Sequence, residues 1–131
     1  MTVTAEEALA GVQNAIAAYT HALDAGRTEE IPELFTENGV AEIVGQGTFE
    51  GREAIGKAFA AFVPQAPQLH LVGNTLLTSP PGDEVTASSS LVFFARGEEG
   101  WAVQLVGSYE DTLVRVDGAW KFRKRVTSFL P

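Results

Sequence analysis

Apolar residues recur along this chain first at helical spacing and then in alternation. Leu9, Val12, Ile16, Tyr19 and Leu23 share one stripe of a helix. Thr4-Ala5-Glu6-Glu7 opens that helix as a capping box, and Asp24 ends it before the Gly26 stop. Thr28-Glu29-Glu30 starts a short second helix that tolerates Pro32 in its first turn and turns Ile31, Leu34 and Phe35 inward. Glu37-Asn38-Gly39 then predicts a turn, and Val40 to Val44 with Thr48 to Glu50 a hairpin across Gly45-Gln46-Gly47. Gly51-Arg52-Glu53 opens a third helix carrying Ile55, Phe59 and Phe62, closed by Pro64 and Pro67.

The period then changes to two. Leu69 to Thr78, Val85 to Ala95, Trp101 to Val116 and Ala119 to Phe129 predict four strands. The breakers between them are Ser79-Pro80-Pro81-Gly82-Asp83, Arg96 to Gly100, and Asp117-Gly118, the last a tight hairpin turn. Three helices followed by a hairpin-linked sheet predict an α+β fold, with the helices covering one face of a curved antiparallel sheet over a pocket. No repeat, linker or low-complexity tract interrupts the 131 residues, so one domain over 1–131 is expected.

Composition narrows the function. A net charge of −8 argues against nucleic acid and anionic membranes as partners. The one basic cluster, Lys121 to Arg125, falls in a strand and reads as a solvated sheet face. Without cysteine there is no thiol chemistry, and two histidines with dispersed carboxylates give no metal signature. The opening residues Met-Thr-Val-Thr-Ala-Glu-Glu hold no signal-like basic or apolar run, and no stretch is long enough to span a bilayer. A soluble cytoplasmic protein is the expectation.

Candidate chemistry then falls to one residue. Alternation puts His70, Val72, Asn74 and Leu76 on one face of a strand. An imidazole there needs a partner, because an unsatisfied buried polar group is costly. Asp24 is the candidate: a carboxylate on one ring nitrogen fixes the tautomer and leaves the other nitrogen a usable base. The simpler alternative is a core histidine bonded to a backbone carbonyl, with Asp24 serving its turn. An acid at a helix C-terminus is disfavoured by the helix dipole, which argues for a partner.

The motifs Tyr19…Leu23-Asp24-Ala25-Gly26 with Leu34-Phe35, Phe49-Glu50-Gly51-Arg52-Glu53-Ala54-Ile55, His70-Leu71-Val72-Gly73-Asn74 and Asp117-Gly118-Ala119-Trp120-Lys121-Phe122 occur in this order. In order and spacing the chain resembles the NTF2-like superfamily, and within it the SnoaL-like family. That resemblance implies a cone-shaped fold, a deep apolar pocket and a homodimer or higher oligomer. Ketosteroid isomerase matches at Tyr19, but its base falls on Ile43 and its second acid near Thr112. Scytalone dehydratase matches at Asp24 and His70, while its second histidine falls on Ala95 and its substrate-binding asparagine on Tyr109. Hexachlorocyclohexane dehydrochlorinase matches at Asp24, His70 and Arg125. Simple alternation sets Arg125 on the opposite face from Trp120 and Phe122, so it reaches the pocket only through a bulge.

Asp24 and His70 are thus the expected catalytic pair. Tyr19, Leu23, Phe35, Phe59, Phe93 and Trp101 are the expected pocket walls, joined by Tyr109 and Arg125. The function expected is that of a cofactor-independent lyase or isomerase acting on a small apolar molecule bearing a hydroxyl or carbonyl. The alternative is a non-catalytic module that binds a hydrophobic ligand or dimerises.

Overall fold

The computed structural model describes residues 2–131. Its first helix, α1 (Ala5–Asp24), is capped by Thr4, whose hydroxyl accepts the Glu7 N–H at 3.1 Å. Its buried stripe is Ala8, Val12, Ala15, Ile16, Tyr19 and Leu23. Gly26 stops it at φ +77°, where the Arg27 N–H returns to the Ala22 carbonyl at 2.8 Å. Gly11 is required by contact, since a Cβ there would stand 2.1 Å from the Trp120 indole that packs on the helix.

The other elements are β1 (Phe35–Ile43), β2 (Gly47–Glu50), α2 (Gly51–Phe59), β3 (Gln68–Leu77), β4 (Glu84–Gly97), β5 (Gly100–Val116) and β6 (Ala119–Phe129). They form one six-stranded sheet in the order β2-β1-β6-β5-β4-β3. The helices pack on its inner face around Phe35, Ile55, Phe59, Leu113 and Phe122. Asp117 (φ +51°) and Gly118 (φ +80°) form the tight turn between β5 and β6.

Four expectations need correction. The second helix is two 3₁₀ turns, Thr28–Glu30 and Pro32–Leu34, too short and too close to Pro32 to hold an α-helical ladder. The third ends as α-helix at Phe59 and closes in a 3₁₀ turn over Ala60–Phe62. Glu37-Asn38-Gly39 is not a turn; it lies within β1, where the register shifts between Phe35 and Val40. The sheet is therefore mixed, because β1 runs parallel to β6 while every other pair is antiparallel. Local patterning gives strand direction only across hairpins, and β1 reaches β6 across the whole chain.

Bulges decide which side chains face inward. On β6, Thr112 pairs with Lys124 and Leu113 with Phe122, so Arg123 is the extra residue. That extra residue turns Phe122 and Arg125 to the same inner face. On β5, Phe93 of β4 pairs with Leu105 and Phe94 with Val103, leaving Gln104 as the extra residue. No helix among the described residues is long and apolar enough to cross a membrane.

Candidate active site

The C-terminal end of α1 meets edge strand β3 at one point. There Asp24 Oδ2 accepts the backbone N–H of His70 at 2.7 Å, and Oδ1 lies 2.6 Å from His70 Nδ1. The Gln68 amide donates to Oδ1 at 3.1 Å. An edge strand presents alternate N–H groups to no neighbouring strand, and here the carboxylate takes one of them. Burial alone would raise the Asp24 carboxyl, but the His70 ring, the His70 backbone N–H and the Gln68 amide outweigh it and hold it below its usual range. A carboxylate accepts only, so in the neutral ring Nδ1 carries the proton and Nε2 is the free base. The imidazole also lies against Phe93, with ring centroids 4.5 Å apart.

His70 forms part of the wall of a cavity of about 370 Å³ between α1, the 3₁₀ turn after α2 and the sheet. Tyr19, Leu23, Phe59, Phe93, Leu105 and Tyr109 give it apolar walls, and Gln46, Gln65 and Gln68 supply amides. Neither tyrosine hydroxyl has a hydrogen-bond partner among the described residues. Burial raises both phenols above their usual range, against the opposing field of Arg125, so both are neutral donors. On the far side of His70 lies a second groove of about 410 Å³ between α1 and β3, lined by Gln13, Thr20, His21, Asp24 and Asn74. The Asp24–His70 pair thus lies between an apolar cavity and a groove of mixed, more polar lining.

Under the cavity floor lies a second acid–base pair. Arg125 and Asp111 are buried on the inner sheet face, with Arg125 Nε 3.0 Å from Asp111 Oδ1. The N–H is not aimed at the oxygen, and neither side chain makes a hydrogen bond of good geometry. Instead the guanidinium carbon lies 3.4 Å from the Tyr109 ring centre, 4.3 Å from Tyr19 and 4.6 Å from Phe122. Burial pushes the Asp111 carboxyl up to about 6, against the attraction of Arg125.

Of the expected pocket residues, Tyr19, Leu23, Phe59, Phe93 and Tyr109 line the cavity with His70. Arg125 does not; it faces inward through the Arg123 bulge but is sealed beneath the tyrosine rings. Phe35 is a core residue stacked on Phe122 at 5.3 Å, because it begins β1 instead of ending a helix. Trp101 is 55% exposed on the outer sheet face, in the third row past the Gln104 bulge. Gln68 could have been found, since alternation places it on the His70 face. Asp111 could not, because its pairing with Arg125 depends on the register of two strands. Among the described residues no cluster of three or more His, Asp or Glu side chains could hold a metal ion.

Residues 5–126 match the family model of the SnoaL-like domain. The chain belongs to the SnoaL-like family, in the NTF2-like superfamily. No protein of curated function matches it in sequence. Among solved structures it is similar to a protein from Catenulispora acidiphila in complex with S-DNPA, at 28% identity and a TM-score of 0.81 over 92% of each chain. It also resembles an aspartate-to-asparagine variant of a protein of unknown function from Mycobacterium tuberculosis, at 25% identity and a TM-score of 0.85, over 93% of this chain and 71% of that one. A proposed scytalone dehydratase from Novosphingobium aromaticivorans shares the fold, with 24% identity and a TM-score of 0.81 over 94% of this chain and 84% of that one.

Proposed function

We propose that this SnoaL-like protein is a cofactor-independent lyase or isomerase whose base is His70, acting on a small apolar molecule bearing a hydroxyl or carbonyl. The observation that carries this reading is the 2.6 Å contact between Asp24 Oδ1 and His70 Nδ1, made at the wall of an apolar cavity. In a dehydration, His70 Nε2 takes a carbon-bound proton and that C–H electron pair becomes the new double bond. The carbon–oxygen bond breaks, and the imidazolium returns its proton to the departing hydroxyl as water. In an isomerisation the same proton returns to a different carbon. Asp24 steadies the imidazolium, and the Tyr19 or Tyr109 hydroxyl polarises a substrate oxygen.

A second reading is a non-catalytic pocket for a hydrophobic ligand. It draws on Ala95, which lines the cavity where the dehydratase resemblance would put a second histidine. Hydrogen–deuterium exchange of apolar hydroxyketones and 2-tetralone in D₂O separates the two. The catalytic reading expects exchange at the carbon beside the carbonyl that His70→Ala abolishes and Asp24→Asn reduces, with ligand binding retained. Binding without exchange for the native protein would establish the binding module instead.

The outer sheet face exposes Leu71, Trp101, Val103 and Val106 around half-buried Val92 and Phe94. We assign this patch to contact with a second copy, because its charges are self-complementary. Arg96 lies at one end of the patch, and Ser88, bonded to Glu110, at the other. A two-fold axis across the strands through the Val92–Val106 row sets Arg96 of one copy beside Glu110 of the other. Val103→Glu should then give a monomer in light scattering, and a native monomer at micromolar concentration would overturn the assignment.

A further inference from the structure

The geometry assigns Gln68 as the residue that selects a hydrogen-bond donor, a hydroxyl, in the molecule held against His70. This rests on the cavity being a ligand site but not on its being catalytic. Gln68 and His70 are two residues apart on β3, and both line the same cavity. The Gln68 amide faces the Asp24 carboxylate at 3.1 Å. A carboxylate can only accept, so the group turned to it is the NH₂ and the carbonyl oxygen is turned away. Flipping the amide would set two acceptors against each other, so the orientation is locked. That carbonyl oxygen has no partner among the described residues.

The same lock acts on the ring. With Nδ1 held by Asp24, His70 also offers an acceptor, Nε2. Gln65 repeats the pattern more weakly, one of its two N–H groups donating to the Val63 carbonyl at 3.2 Å. The groups whose orientation is locked here, the Gln68 carbonyl oxygen and His70 Nε2, are thus acceptors. The Tyr19 and Tyr109 hydroxyls are the rotatable donors, and the nearest cation, Arg125, is sealed under their rings. A carboxylate or phosphate would meet lone pairs and no compensating charge. A neutral alcohol or phenol meets an acceptor already in place, which adds a hydroxyl to the ligand beside any carbonyl the tyrosines hold.

The test is calorimetric titration with two flat apolar probes, 2-naphthol and 2-methoxynaphthalene, which differ in the hydroxyl proton. One oriented hydrogen bond gives the native protein about a fivefold preference for the naphthol. Gln68→Met keeps the side chain's bulk but removes the acceptor, and should bring the preference to about twofold, leaving only His70. The methoxy probe should bind both proteins equally, which separates lost recognition from a damaged pocket. The His70 ring resonances should persist in Gln68→Met, because Asp24 retains its bonds to the ring and to the backbone N–H. A preference that survives in full in Gln68→Met, or equal binding of both probes by the native protein, overturns the role of Gln68. Binding of neither probe overturns it together with the apolar-ligand reading, whereas deuterium exchange tests His70 independently.

Discussion

Asp24 and Asp111 each face a nitrogenous side chain across the inner side of this protein, yet their surroundings are opposite. Asp24 receives three hydrogen bonds at 2.6 to 3.1 Å and sits at the boundary between a cavity and a groove. Asp111 receives none of good geometry, is 3% exposed, and relies on Arg125 alone. The first carboxyl is held below its usual range and the second is pushed up to about 6. A nitrogen within 3.0 Å is common to both, so it does not set the outcome. Burial and the supply of hydrogen-bond donors do: Asp111 is the more deeply buried, and only Asp24 has donors enough to outweigh its burial. A carboxylate with donors is fixed and ionised and can orient a base; one without them is an electrostatic load that the fold carries.

The largest expected effect tests that load. Arg125→Met leaves Asp111 buried without its partner and should destabilise the protein by about 3–5 kcal/mol. Adding Asp111→Leu to it should restore most of that loss, since an apolar pair of similar size avoids desolvating two charges. Guanidinium denaturation of the two single variants and the double measures it. A double variant far less stable than the native protein would show that the pair stabilises the fold.

Asp24→Ala comes next, at about 1–3 kcal/mol, because it leaves the His70 N–H, the ring N–H and the Gln68 amide short of an acceptor. A loss well below this, in the same denaturation measurement, would mean that water replaces the carboxylate freely.

At any one pH the titration of the two acids has a smaller effect, but its sign separates them. Asp111 binds its proton more tightly folded, at about 6, than at its ordinary value of 3.8. Its contribution is therefore complete below 3.8 and is lost as pH rises through about 6. Asp24 does the reverse: its contribution is present above the ordinary value and is lost as pH falls through its lowered folded value. Unfolding midpoints against pH should lose their decline toward pH 6 in Asp111→Asn and their acid-side loss in Asp24→Asn. The exposed Lys57–Glu53 pair, at 3.5 Å, sets the bottom of the scale. Glu53→Ala should change stability by no more than about 0.5 kcal/mol.

This contrast also marks how much was legible in the sequence. The α1 stripe, the Gly26 stop and the start of the β3 alternation follow local rules, so each of Asp24, His70, Tyr19 and Leu23 could be put on its element and face. The pairing of Asp24 with His70 came from the family resemblance. Past Gly73 a register shift breaks the alternation and leaves Leu76 exposed. Arg125 marks the limit. Its face depends on a bulge at Arg123 and its partner on the β5–β6 register, neither of which carries a local signature. The parallel β1–β6 contact escaped for the same reason, and with it the place of Phe35, which points inward as expected but into the core and not onto the cavity wall. Trp101 reads as a pocket aromatic from its type, but one extra residue, Gln104, fixes the face of the strand's end.

The central claim is that Asp24 holds His70 as a base with Nε2 free toward the cavity. Long-range ¹H–¹⁵N correlation of the histidine ring, at a pH where it is uncharged, tests this without a substrate. The expected spectrum has a protonated Nδ1 and an unprotonated Nε2 for His70, and Asp24→Asn should disturb that preference. A proton found on Nε2 in the native protein would contradict it, because Asp24 would then not be the acceptor and the cavity would face a donor.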